Sequence, residues 1–107
     1  MSSLSSHILD TSNGMPASSI EIELMSFDSK QTLAVATSDD DGRASFDTTD
    51  LCNGDYTLRF YIKPYCIKNF GSSFFPLIEI HFCVDQKRHY HVPLLLSPFS
   101  FSSYRGS

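Results

Sequence analysis

HYHVPLLL, residues 89 to 96, places two histidines two positions apart on a run of otherwise apolar residues. In an extended strand, residues i and i+2 share a face. Tyr90, Val92, Leu94 and Leu96 then form one continuous apolar side and are assigned to a core. His89, His91, Pro93 and Leu95 form the other side. That second face lies outside the core yet still carries Pro93 and Leu95, and an apolar surface outside a core ordinarily meets a partner chain or a ligand. The stretch reads as a strand in a layered β structure with a titratable outer face.

The same period of two runs outward in both directions. Downstream, Ser97-Pro98 bends the chain into a further strand, FSFSSY (Phe99 to Tyr104). Upstream, DQKR (Asp85 to Arg88) reads as a solvated hairpin turn closing PLIEIHFCV (Pro76 to Val84). GDYTLRFYI (Gly54 to Ile62) is a longer strand, and KPYCIKNFG (Lys63 to Gly71) breaks the alternation. Pro64 opens a short helix there and Gly71 caps it. RASFD (Arg43 to Asp47), TLAVAT (Thr32 to Thr37), SIEIELMSF (Ser19 to Phe27) and SSHILD (Ser5 to Asp10) complete the strand set. SDDDGR and TSNGMPA are turns, because Asp-Gly and Asn-Gly readily take the positive φ that tight turns need. About eight short strands, one short helix and no internal repeat predict an all-β sandwich.

The 107 residues make one domain, 1–107. The net charge is -4, from 12 acidic against 8 basic side chains. No basic stripe is present to neutralise phosphates, so nucleic acid is not an expected partner. No apolar run approaches the ~20 residues that span a membrane, so no membrane partner is expected. MSSLSSHILDTSNG lacks the basic and apolar regions of a signal peptide, and the end is not Ser-Lys-Leu. Three cysteines, Cys52, Cys66 and Cys83, are an odd number without CxxC spacing, which fits a reducing compartment. A cytoplasmic location is expected, with the peroxisome disfavoured.

By the same alternation in SSHILD, His7 shares a face with Leu9, opposite Ile8 and Asp10. From residue types alone, four readings of His7, His89 and His91 stand. They are solvated surface groups, a His-x-His metal pair, proton-transfer groups, or the lining of a non-catalytic ligand channel. No carboxylate is placed as a third metal ligand and the cysteines are scattered, so no metal is expected.

The landmarks SSHILDTSNGMPA, DDDGR, FFPLIEIHF (Phe74 to Phe82) and HYHVPLLLSPFSFSSYRGS together resemble the 5-hydroxyisourate hydrolases, also called transthyretin-related proteins. The resemblance covers nearly the whole chain, and the terminal YRGS is its most specific part. Transthyretins, hormone carriers on the same fold, resemble LLSPFSFSS but lack that tetrapeptide and these histidines. The segment from Tyr61 to Ser73 departs from the family pattern, which is more acidic there, and Leu77 stands where an acid is common.

The resemblance implies a transthyretin-like (prealbumin-like) β-sandwich of two four-stranded sheets with one short helix. It implies a homotetramer whose central channel holds the active sites. The implied reaction is hydrolytic ring opening of 5-hydroxyisourate to 2-oxo-4-hydroxy-4-carboxy-5-ureidoimidazoline, a step from urate to allantoin, with no cofactor and no metal. The implied catalytic set is His7, Arg43, His91 and Ser107. His7, Arg43, Tyr104 and Arg105 are the implied substrate contacts. His7 and His91 would activate water and transfer protons. Arg43 would orient the substrate with its planar fork of donors. Ser107 would bring a hydroxyl and a terminal carboxylate, with Gly106 letting the end turn tightly. Arg105 has a salt bridge pinning the terminus as an equal reading, and Tyr104 has channel packing as its alternative. The second function class is a non-catalytic ligand-binding or interaction module on this fold.

Overall fold

Alternation in Ser3–Asp10 (β1) turns Leu4, Ser6, Ile8 and Asp10 inward and leaves Ser3, Ser5, His7 and Leu9 half-exposed on the opposite face. The computed structural model describes residues 2–46 and 50–106. After β1 come Met15–Pro16 (β2), Glu21–Ser26 (β3), Thr32–Thr37 (β4), Arg43–Ser45 (β5) and Gly54–Tyr61 (β6). Lys63–Phe70 (α1), Ile78–Val84 (β7), His89–His91 (β8), Leu94–Leu96 (β9) and Phe101–Ser103 (β10) follow.

Two sheets face each other. In the first, β1 pairs in parallel with β8 and β9 along one edge and antiparallel with β5 and β2 along the other, and β10 pairs with β9. The second runs β4-β3-β6-β7, antiparallel throughout. Leu4, Ile8, Leu94 and Leu96 from the first sheet meet Ile22, Leu24, Leu58, Phe60, Ile78 and Val84 from the second in one core cluster. Each such side chain contributes roughly 1.5–3 kcal/mol when fully buried.

The all-β sandwich with one short helix is the expected architecture, and the two sheets differ from the expected pattern in detail. The strand expected over His89–Leu96 is broken at Val92–Pro93, because proline supplies no N–H to a ladder. Pro93 is buried within the chain itself, with its carbonyl accepting from Ser103 Oγ at 2.6 Å, so it does not belong to an exposed apolar face. Met15–Pro16, expected as turn only, forms a two-residue ladder with Leu9 and Asp10. Together these changes give the first sheet six short strands where four were expected. Asp85–Arg88 is not a hairpin: it carries the chain from β7 in the second sheet to β8 in the first. Tyr90 secures this crossing, its hydroxyl accepting from the Asp85 and Gln86 amides at 3.2 Å each. Sequence cannot separate a four-residue hairpin from a sheet crossing of equal length. The strand expected from Ser19 begins at Glu21, because Ser19 is left-handed with φ 63°. Asp47, the expected end of the Arg43 strand, lies outside the described residues.

The helix forms as expected. Pro64 sits in its first turn, and Gly71, left-handed at φ 81°, donates its amide to the Ile67 carbonyl. Tyr65 fastens the helix to β1 by donating to Asp10 Oδ2 at 2.7 Å. Asp10 is fully buried, and its other oxygen accepts from the Ser12 amide at 2.9 Å and the Ser12 hydroxyl at 2.6 Å. A buried carboxylate is tolerable only with such partners. Burial and the adjacent Asp10 push the Tyr65 hydroxyl well above its ordinary pKa. Cys52, Cys66 and Cys83 are free thiols, of which only Cys66 is buried.

Candidate active site

The pairing of β1 decides which side chains meet. Ser3 lies opposite His89 and Ser5 opposite His91 on the β8 side. Ser5 lies opposite Ser45 and His7 opposite Arg43 on the β5 side. Residues directly opposite across a ladder share a face. Ser3, Ser5 and His7 therefore stand between Arg43 and Ser45 on one flank and His89 and His91 on the other, all on the outer face of the first sheet. This places together three of the residues expected from the sequence, His7, Arg43 and His91.

Each is held by its surroundings. His7 donates Nε2–H to the Asp41 carbonyl at 2.8 Å; a carbonyl only accepts, so this bond puts the proton on Nε2 and leaves Nδ1 as the acceptor of the neutral ring. Arg43 is delivered by the turn before it. Asp39 Oδ1 accepts from the amides of Asp41 and Arg43 at 2.9 Å each, and the Asp39 amide donates to the Arg43 carbonyl at 2.9 Å. Gly42 is left-handed at φ 75°, and a Cβ there would sit 2.5 Å from the Ile8 carbonyl oxygen. Only glycine lets this turn press so closely on β1.

His91 is half-buried, and its Nδ1 lies 2.8 Å from Ser5 Oγ. Its Nε2 has no partner among the described residues. Burial lowers its pKa first, and the neighbouring His7, His89 and Arg43 lower it further. His91 is thus a neutral imidazole at neutral pH. Gly106 closes the other side of the ring: its amide donates to the His91 carbonyl at 2.8 Å, and a Cβ on Gly106 would lie 2.6 Å from His91 Cδ2. A pocket of about 170 Å³ opens here, lined by Ser5, Ser6, Asp39, Arg43, Ala44, Ser45 and His91.

His7 stands on the same sheet face but does not line that pocket. Tyr104 and Arg105 do not line it either. They border a neighbouring cleft of about 360 Å³ that also takes in Ile80, Phe82, Tyr90, Val92 and Ser103. Ser107, the last expected site residue, lies outside the described residues. A larger hollow of about 390 Å³ lies on the outer face of the second sheet, beside Arg59, Glu79 and His81. There Arg59 and Glu79 bond each other at 2.6–2.7 Å, whereas the smaller pocket sets His91 beside Arg43. Among the described residues no three His, Cys, Asp or Glu side chains converge as a metal site.

Sequence reasoning did not single out Ser3, Ser5 or Asp39. The signal for the serines was present in the i, i+2 spacing of Ser3, Ser5 and His7, but it becomes meaningful only once β1 is known to lie parallel to β8.

Fold and face together define a transthyretin-like sandwich whose outer sheet surface carries three imidazoles and a guanidinium. The chain belongs to the HIUase/transthyretin family, whose model matches residues 4–106. It is 39% identical over 115 residues to the 5-hydroxyisourate hydrolase of Caulobacter vibrioides, covering 100% of both chains. The solved structure of Klebsiella pneumoniae 5-hydroxyisourate hydrolase matches with a TM-score of 0.87 and 36% identity, covering 100% of both chains. Sea bream transthyretin in complex with thyroxine matches with a TM-score of 0.85 and 30% identity, covering 96% of this chain and 93% of that one. The fold is therefore shared by a hydrolase and a protein that binds thyroxine, and the site must decide between these two kinds of function.

Proposed function

We propose that this chain is a 5-hydroxyisourate hydrolase, opening a small cyclic amide with water. The observation that carries the reading is the meeting of His7, Arg43 and His91 on one sheet face, with the His91 pKa lowered by burial and by the neighbouring His7, His89 and Arg43. A hydrophobic carrier has no need of such a lining. His91 Nε2 takes a proton from the attacking water, the oxygen adds to the ring carbonyl, and the C–N bond breaks as the proton passes to nitrogen. General base and acid assistance of this kind is worth about 10²–10⁴-fold. Arg43 orients the substrate through paired donors to adjacent oxygens. His7, fixed by Asp41, offers Nδ1 as a second acceptor. No metal or cofactor takes part in this reading.

Ser107, Tyr104 and Arg105 are proposed as further contacts to substrate or water. In support, Tyr104 is 59% exposed, and Gly106, next to Ser107 in the chain, is seated against His91. We also propose that the chain assembles as a homotetramer in the cytoplasm. Support for assembly comes from an exposed aromatic cluster in which Phe74 stacks edge-on to Phe75 and Phe99, and Phe75 to Phe101, with Phe99 72% exposed. Large apolar patches of this sort ordinarily meet another chain.

The test is substoichiometric protein added to freshly formed 5-hydroxyisourate, with its ultraviolet absorbance followed against spontaneous decay. A hydrolase speeds the decay through many turnovers. A carrier binds one equivalent and leaves the rate unchanged, which would overturn the proposal.

A further inference from the structure

A chain of hydrogen bonds leads out of the pocket. His91 Nδ1 lies 2.8 Å from Ser5 Oγ. The same Ser5 Oγ lies 2.7 Å from His89 Nε2. His89 Nδ1 lies 2.6 Å from Ser3 Oγ. His89 is exposed, while His91 is half-buried.

Ser5 owns one hydroxyl proton and touches two imidazole nitrogens, so it donates to one ring and accepts from the other. Only two arrangements satisfy the chain while both rings are neutral. In the first, His91 carries its proton on Nδ1 and donates to Ser5, Ser5 donates to His89 Nε2, and His89 donates Nδ1–H to Ser3. His91 Nε2 is then a bare lone pair at the pocket, which is the form a general base needs. In the second, every proton is shifted and His91 presents Nε2–H, which is the form a general acid needs.

We propose that His89, acting through Ser5, is a positioning and charge-accepting residue for His91, so that the imidazolium formed during the reaction resides on exposed His89. This rests on the hydrolase reading of the same site. The step balances. Water gives a proton to His91 Nε2 as its oxygen bonds to the ring carbonyl carbon. The Nδ1 proton of His91 moves to Ser5, and the Ser5 proton moves to His89 Nε2. His91 is neutral again with Nε2–H, and His89 bears the charge, with Ser3 and Ser5 accepting from both its N–H groups. When the C–N bond breaks, His91 Nε2–H protonates the leaving nitrogen and the two other protons return. The new carboxyl group loses its proton to solvent with the product.

The site favours this distribution. A charge on His91 would be half-buried and would face His7 and Arg43 from β1 and β5, both able to carry positive charge. A charge on His89 is wet and screened. Ser5 is the only connection between the two rings among the described residues.

The experiment has two arms. In the ligand-free protein, 15N NMR of the imidazoles reads the His91 tautomer without any substrate. The wild type is expected to hold His91 as Nδ1–H, and Ser5→Ala is expected to shift it toward Nε2–H. An identical His91 tautomer in both proteins would overturn the proposal. In turnover, His89→Gln and Ser5→Ala are each expected to lower kcat about tenfold, a modest share of the usual value of proton transfer, with KM unchanged. Ser5→Thr, which keeps a hydroxyl on a β-compatible side chain, should recover the rate lost in Ser5→Ala. Added imidazole should restore His89→Gln, because the vacated position is open to solvent. A His89→Gln enzyme at full kcat, or a loss that imidazole cannot restore, would refute the relay. A wild-type chain without hydrolase activity would instead strike the functional reading, leaving the NMR arm to decide the hydrogen-bond chain.

Discussion

Gly106→Ala adds a single methyl group and addresses the site through packing alone. The added Cβ would lie 2.6 Å from His91 Cδ2 and 3.2 Å from both Cβ and Cγ of the same ring. Ordinary carbon contacts fall near 3.5–4.0 Å, so the ring must retreat by roughly 1 Å. The tail cannot easily give way instead, since the Gly106 amide is bonded to the His91 carbonyl at 2.8 Å. Cδ2 is bonded to Nε2, so the displaced edge is the one proposed to meet the attacking water. A misplacement of about 1 Å can cost about 10²-fold in rate, and we expect kcat/KM to fall by that order. Circular dichroism and Tm should change little, because Gly106 lies outside the core cluster. The assay is steady-state decay of 5-hydroxyisourate, with Gly106→Ser as a second steric variant. Wild-type turnover in Gly106→Ala would refute the reasoning that the tail fixes His91.

Other perturbations test the remaining parts. Arg43→Lys should lose most activity despite keeping its charge, as read by kcat/KM, since a point charge cannot copy the guanidinium fork. If His91 is the neutral base proposed above, activity should hold steady through neutral pH and fall in acid, because its pKa lies below the ordinary 6.5. The same depression carries a stability consequence: the unfolded chain binds the proton more readily, so stability contributed by neutral His91 is present above about pH 6.5 and is lost as pH falls through the folded value. Thermal melts across that range check the sign. Gly42→Ala should lower Tm by several degrees and reduce activity together, because it forces a left-handed residue against the Ile8 carbonyl and shifts the turn that delivers Arg43. Exhaustive chelation with EDTA should leave turnover intact, and a loss restored by zinc would revive a metal role for the histidine face.

The alternation in HYHVPLLL was enough to separate core from outer face, since Tyr90, Val92, Leu94 and Leu96 are all buried. Pro64 and Gly71 bounded the helix because their backbone constraints act locally. Long-range pairing was not legible. Nothing in local periodicity says that β1 runs parallel to β8, and without that register Ser5 is one serine among many. The same limit made Asp85–Arg88 read as a hairpin. Pro93 was misread for a different reason: two-residue periodicity holds only while the strand is unbroken, and proline breaks it. His7, Arg43 and His91 were found through the resemblance, while their hydrogen-bonded supports came from the three-dimensional structure alone.

The claim that the outer face of the first sheet runs the reaction is tested most directly by one comparison, the kcat for 5-hydroxyisourate of wild type against folded His91→Ala. The variant is expected to lose about 10² or more in kcat while its melting behaviour stays close to wild type. A His91→Ala protein that opens the ring at the wild-type rate would contradict it.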